Sequence, residues 1–294
     1  MLIDCHHHLW DLTEVSYPWL QARGVRRFFG DPTPIQHDYL PEHLRDDWGH
    51  ISIGGSVHIQ VGTAAGSEVA ETRWLDQQAE RTGLPSAIVA YADMTSADLE
   101  QMLDQHLAAS ERVRGVRHIV SRHMSEDAND SGAALLEHPN FASSLKMLEK
   151  RSLSFDLQLT PPYLPLAADV FDAVPDLRIA LCHAGSPWEQ DETSLQTWRS
   201  GLRAFAALPN TVCKLSGLGM FDPDWTPATL APIVEGVLGA FGPERVMWGS
   251  NFPVDKLYRD YMRTFDVLWN LVPDSAREAV FGATAANFYR LELA

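Results

Sequence analysis

Short apolar runs recur along the chain at 2–6, 54–61, 87–91, 115–120, 154–159, 178–182, 211–215 and 245–248, and each has the length of a strand. Most are separated by stretches whose apolar positions repeat at helical spacing. In 68–81 the positions expected to be buried are Val69, Trp74 and Leu75; in 96–109 they are Leu99, Met102, Leu103 and Leu107. Helix starts are marked too. Thr193 with Gln196, and Ser275 with Glu278, have capping-box spacing. Thr226 before Pro227 fits an N-cap followed by proline at the first helical position. Strand and helix alternating eight times in 294 residues points to an α/β fold, a TIM (β/α)8 barrel, with an open doubly wound sheet as the structural alternative. No linker, low-complexity tract or repeat divides the chain, so one barrel domain over 1–294 is expected. The regular spacing is broken by the excursion 10–49, rich in proline, aromatics and charge. In a barrel it follows the first strand and covers the catalytic face.

Composition narrows the partners. The chain is 45% hydrophobic and 21% charged, ordinary for a folded domain. Lys plus Arg number 23 against 39 Asp plus Glu, a formal charge of −16. Such a field repels phosphate backbones and anionic membranes, leaving a small molecule as the expected partner. An acidic substrate then needs a local cationic pocket. No apolar run is long enough to cross a membrane as a helix. The three cysteines, Cys5, Cys182 and Cys213, do not form a disulfide framework. No leader is read ahead of the strand-like Leu2-Ile3, and the expected location is the cytoplasm. A homo-oligomer is left open.

Chemistry collects at the ends of the expected strands. Asp4-Cys5-His6-His7-His8 ends the first. Alternation puts His6 and His8 on one face and His7 on the other, and two imidazoles so placed can grip one metal ion. A tag remnant or a structural histidine cluster is the plainer alternative. His183 ends the sixth strand before Ala184-Gly185-Ser186-Pro187, and a barrel would bring it toward His6 and His8. Asn251 ends the eighth in Trp248-Gly249-Ser250-Asn251-Phe252-Pro253-Val254-Asp255, where a tight turn alone would favour Gly and Asn. Around the fourth strand, Arg117, His118, Arg122 and His123 form a candidate anion site, since arginine meets carboxylates with a planar fork. Lys214 is a charge inside an apolar strand, and must be either paired or in contact with substrate.

Together these segments resemble the amidohydrolase-2 group of the amidohydrolase superfamily, in the branch of lactonases and pyrone-dicarboxylate hydrolases. The resemblance runs from Ile3-Asp4-Cys5-His6-His7-His8-Leu9-Trp10-Asp11 and Tyr17-Pro18-Trp19-Leu20 through Gly115-Val116-Arg117-His118, His183-Ala184-Gly185-Ser186-Pro187 and Lys214-Leu215-Ser216-Gly217-Leu218. It continues to Met247-Trp248-Gly249-Ser250-Asn251-Phe252-Pro253 and Asn287-Phe288-Tyr289-Arg290-Leu291. It implies a distorted barrel with its site at the C-terminal strand ends, His6 and His8 as the first-strand pair and His183 as the sixth-strand histidine. It implies a lactone substrate and, in some members, a divalent metal, here zinc on His6, His8 and His183; other members work without metal. The family's eighth strand commonly ends Gly-Ser-Asp, whose aspartate takes a proton from water. Asn251 stands there in this chain, and an amide is not a base. On this reading a hydrolase opens a small cyclic ester of a sugar acid or carboxylated compound. Arg117, His118, Arg122 and His123 hold the substrate's acid group, Lys214 contacts substrate, and Tyr17, Trp19 and Trp188 wall the pocket. The alternatives are a carbon–carbon lyase of the same superfamily and an inactive binding relative.

Overall fold

The structure is a computed structural model describing residues 1–122 and 132–292; His123 lies outside them. Eight parallel strands pair in chain order: β1 (Leu2–His7), β2 (Ile53–Ile59), β3 (Ala87–Tyr91), β4 (Val113–Ile119), β5 (Ser154–Gln158), β6 (Ile179–Leu181), β7 (Thr211–Leu215) and β8 (Val246–Trp248). With helices between them they make a nearly closed TIM barrel, so the open-sheet alternative falls. β1 and β8 meet at their C-terminal ends. There Asn251 N–H donates to the His6 carbonyl at 2.7 Å and His8 N–H to the Phe252 carbonyl at 2.7 Å.

The barrel interior is packed. Ile3, Cys5, Val57, Val89, Ala180 and Met247 form one apolar cluster with Phe288 and Tyr289 of the helix Thr284–Tyr289. This is a filled core rather than a pore, as the fold requires. The three cysteines are free and buried in it or beside it.

Local signals translate into elements with instructive exceptions. The helix Glu68–Thr82 buries Val69, Trp74 and Leu75 as the spacing predicts. The next helix starts late, at Leu99, because Asp93 accepts from both the N–H and the hydroxyl of Thr95 and holds a turn ahead of it. On that helix Leu107 is exposed, and His106 takes the inward place with bonds to Tyr91 O and Thr72 Oγ1. Thr226 caps the helix Pro227–Phe241 in a reciprocal box with Thr229. Thr193 does not cap its helix. Asp191 does, accepting from the N–H groups of Thr193 and Ser194. Ser275 lies inside the helix Asp274–Glu278, which follows Pro273 directly.

The excursion 10–49 is built rather than loose. It holds the helices Pro18–Gln21 and Pro41–Trp48, and Trp10 and Tyr39 clamp it by paired backbone bonds. Trp10, Tyr17, Leu20, Tyr39 and Leu44 are fully or almost fully buried in its core. Among the described residues no helix is long and apolar enough to cross a membrane.

Candidate active site

β1 carries a bulge. The pairing with β2 slips between Asp4↔Ser56 and His7↔His58. Ile3 and Cys5 already point inward, and strict alternation would send His7 after them. The extra residue resets the phase. His6 and His8 therefore approach each other, with ring centres 5.2 Å apart, while His7 packs near His58. Asp4 anchors this segment, accepting from the N–H of Ser250 at 2.9 Å and the hydroxyl of Tyr261 at 3.0 Å.

His183 comes to the same place, its ring centre 4.5 Å from that of His6. It sits in left-handed backbone at φ +53°, which is uncommon for a bulky residue and marks a constrained position. His8 and His183 line a cavity of about 800 Å³. His6 lies just beneath, its Nε2 buried with no partner. All three rings are held neutral at pH 7. Burial lowers each pKa, reinforced by Lys214 at His6 and by Arg117 at His8 and His183; that of His8 falls to about 3.

Lys214 supports this cluster from below. Its ammonium donates to Asp156 Oδ2 at 2.5 Å and to the Cys5 carbonyl at 3.2 Å, and it stands 3.4 Å from His6 Nδ1. The Tyr289 hydroxyl also donates to Asp156 Oδ2. Burial would lower the lysine's pKa, but Asp156 reverses this and the amine stays charged. Lys214 is thus a paired charge and does not line the cavity, which corrects its expected place against substrate.

Asn251, at φ +57°, serves the turn and the site together. Its Oδ1 is 3.3 Å from His8 Nε2, and its Nδ2 donates to Asp255 Oδ1 at 2.9 Å. Burial pushes the Asp255 carboxyl up to about 7.

At the fourth strand end, Arg117, His118 and Arg122 all line the cavity. Arg117 and Arg122 can share it because β4 ends at Ile119, before Arg122. Arg117 is buried, and its guanidinium donates to Gln158 Oε1 and to the Gln60 carbonyl. Among the described residues no carboxylate lies within ion-pair distance of it, and its Nε has no partner. His118 accepts from the Met94 N–H through Nδ1. Trp19 lines the cavity with its indole N–H tied to the Val61 carbonyl at 2.8 Å. Tyr17 does not: it is fully buried, with its hydroxyl toward Glu71. Trp188 also stands back, edge-on to Phe28 and Phe221, while Phe28 forms the wall. The excursion is ordered so that residues eight and more places beyond Trp19 form the wall.

Sequence reasoning missed Gln60, which follows β2, and Gln158, which ends β5, both lining the cavity, and Asp156, the partner of Lys214. A polar residue inside or ending an apolar strand was the available signal for all three. Phe28, Phe29 and Met220 carried none.

The family described as Amidohydrolase (Amidohydro_2) matches residues 3–291. The chain belongs to the amidohydrolase family. It is a hydrolase by class and acts on a small molecule. The uncharacterized protein y4mH of Sinorhizobium fredii is 36% identical to it, over 99% of this chain and 98% of that one. L-fucono-1,5-lactonase of Burkholderia multivorans is 30% identical, over 98% of this chain and 96% of that one. A crystal structure of a Burkholderia multivorans amidohydrolase with bound zinc superposes with a TM-score of 0.82, at 27% identity and 99% coverage of both chains.

Whether this amidohydrolase can hold zinc on His6, His8 and His183 turns on where each ring keeps its proton. A metal takes a lone pair. His8 offers one: Nδ1 donates to the Ile59 carbonyl at 2.7 Å, leaving Nε2 free. His6 does not. The Lys214 ammonium only donates, so His6 Nδ1 accepts and the ring proton occupies Nε2, on the side of the other rings. Asn251 presents an uncharged amide to His8, and Arg117 and Lys214 add positive charge nearby. Among the described residues no group of three or more His, Cys, Asp or Glu side chains has the geometry to hold a metal ion. The expected zinc ligand set therefore does not fit: the rings converge, but His6 turns a protonated Nε2 toward the others.

Proposed function

We propose that this amidohydrolase is a lactonase that opens a cyclic ester of a sugar acid or a small carboxylated compound. The observation that carries this reading is the meeting of neutral imidazoles with Arg117, a buried cation with no carboxylate partner among the described residues, at one cavity floor. A buried guanidinium left unpaired costs stability and is retained where a ligand completes it. The lactonase of Burkholderia multivorans supports a sugar-acid lactone as the first candidate.

The chain's own residues supply a route. Ser216 holds His183 at Nδ1, with Oγ at 3.0 Å, and we assign the ring proton to that nitrogen, donated to the hydroxyl oxygen. The Nε2 lone pair is then free for the cavity. We assign His183 as the general base that takes a proton from water as the oxygen attacks the ester carbonyl carbon. The ring C–O bond breaks, and the proton returns to the alkoxide oxygen, giving a hydroxy acid. Arg117, with His118 and Arg122, holds the substrate's anionic or oxygen-rich end. Lys214 keeps the cavity floor positive and sets the tautomer of His6. The fixed cations thereby stabilise negative charge growing on the carbonyl oxygen.

A panel of sugar-acid lactones and carboxylated aromatics tests this. A lactone should be opened to its acid, and His183→Ala should lower kcat by about 10²–10⁴ in a folded protein. Release of carbon dioxide from an aromatic acid with every lactone left intact would replace this reading by the lyase. A free-acid substrate and its amide turned over at equal rates would remove Arg117 from recognition.

A further inference from the structure

Two hydrogen-bond acceptors face each other in the site. His8 Nδ1 lies 2.7 Å from the Ile59 carbonyl, which only accepts, so that nitrogen carries the ring's one proton and Nε2 carries the lone pair. Opposite Nε2, at 3.3 Å, is Asn251 Oδ1. The other end of the amide donates to Asp255 Oδ1. Turning the amide over gives His8 a donor but sets Asn251 Oδ1 against Asp255 Oδ1. That contact is favourable only when the carboxyl carries a proton.

We propose that Asp255 is a positioning residue of the strand-8 turn, its carboxyl deciding which end of the Asn251 amide, oxygen or NH2, faces His8. An ionised Asp255 draws the NH2 to itself and leaves His8 Nε2 and Asn251 Oδ1 as two open acceptors at the cavity. A protonated Asp255 donates to Asn251 Oδ1, and the NH2 then occupies the His8 lone pair. Burial holds the carboxyl near 7, so both arrangements are populated around neutral pH.

The surroundings leave the carboxyl to titrate against this amide. The Gly219 backbone binds it, and Trp225, Leu230, Thr264 and Leu268 share its pocket. Lys256 reaches away to Asp47, and the Arg259 guanidinium lies over Trp225. Tyr258, the titratable neighbour, is kept protonated by burial and by Asp255 itself.

Only the consequence for turnover rests on the lactonase reading; the coupling of the three side chains does not. In the second arrangement His8 has no lone pair for water or a substrate hydroxyl, so activity should rise with pH through the Asp255 transition. The deciding experiment is a pH titration of the full-length protein labelled with 15N-histidine, read by NMR without substrate. The His8 Nε2 resonance should shift with a midpoint near 7 while the ring stays neutral. The shift should vanish in Asp255→Asn, which keeps size and hydrogen bonding but does not titrate. It should also vanish in Asn251→Ala, where a 13C signal of the Asp255 carboxyl continues to titrate. A His8 transition that survives in either variant, or a wild-type His8 that stays still while Asp255 titrates, overturns the proposal. With a lactone that is turned over, kcat should rise through the same midpoint and become flat in Asp255→Asn, with KM little changed. If no lactone is opened, the lactonase reading fails, and the NMR titration still decides this one.

Discussion

A histidine contributes to a site through the nitrogen that its neighbours leave free. His6 and His8 are two residues apart and share one environment, yet the Lys214 ammonium beside His6 Nδ1 and the Ile59 carbonyl beside His8 Nδ1 give their Nε2 atoms opposite characters. This is why a His-x-His pair is not by itself a metal site. The expected outcome is measurable: protein purified without a histidine tag should contain well under one zinc per chain after exposure to the ion and gel filtration. A stoichiometric, tightly held zinc would mean that Lys214 gives up its proton or moves. Arg117 makes the complementary prediction. Arg117→Gln should weaken a carboxylated substrate by about 2–5 kcal/mol, because the charged partner of a desolvated anion is lost. Arg117→Lys should recover only part of this, since an ammonium lacks the planar fork.

At the scale of elements, the site depends on backbone passing very close to the histidine rings. Gly217, which follows β7, has φ +64°, and a Cβ there would lie 2.4 Å from His183 Nδ1. The absent side chain is what lets the turn after β7 support the ring from behind. Gly217→Ala should therefore displace His183 from Ser216 and abolish most turnover. Its circular dichroism spectrum should remain that of the parent; a variant with full activity would show that the ring has room to retreat. Gly249 does the same for barrel closure. A Cβ there would meet the His6 backbone N at 2.7 Å, so β8 can lie against β1 only because this residue has no side chain.

For the molecule as a whole, burial sets two families of groups against each other. Asp4, Asp255 and Glu71 are raised to about 6, 7 and 8. The folded state holds protons there that the unfolded chain has released. Their stabilising contribution is full below ordinary carboxyl values and is lost as pH rises through 6 to 8. His6, His7, His8, His58 and His183 are all lowered, mainly by burial. The folded state refuses protons that the unfolded chain accepts below its ordinary 6.5, so stability is lost as pH falls from there. The histidines outnumber the carboxyls, and acid should win below 6.5. Urea midpoints measured across pH should peak between about 6 and 7 and fall more steeply on the acid side. A midpoint that climbs steadily to pH 9 would contradict this assignment.

Much of the protein is legible in one dimension because its signals are local. Strand and helix alternation depends on the period of apolar positions, and it predicts all eight strands to within a few residues. Thr226-Pro227 carries its own cap, and the chemistry at the ends of β1, β4, β6 and β8 is visible because a polar residue after an apolar run has nowhere to go but the mouth of a barrel. Caps that compete are not legible: Asp191 displaces Thr193 through a stronger acceptor two residues earlier. Contacts between distant segments are not legible either. Lys214 meets His6 208 positions away only after the sheet has curved, and its burial next to Asp156 turns a candidate substrate contact into an internal ion pair. Tyr17, expected in the pocket wall on the lactonase reading, is core because the excursion folds on itself. Sequence alone determined which residue types stand at the strand ends. Closure of the barrel decided which nitrogen, oxygen or proton each of them presents, because those choices depend on neighbours that the chain brings together only in three dimensions.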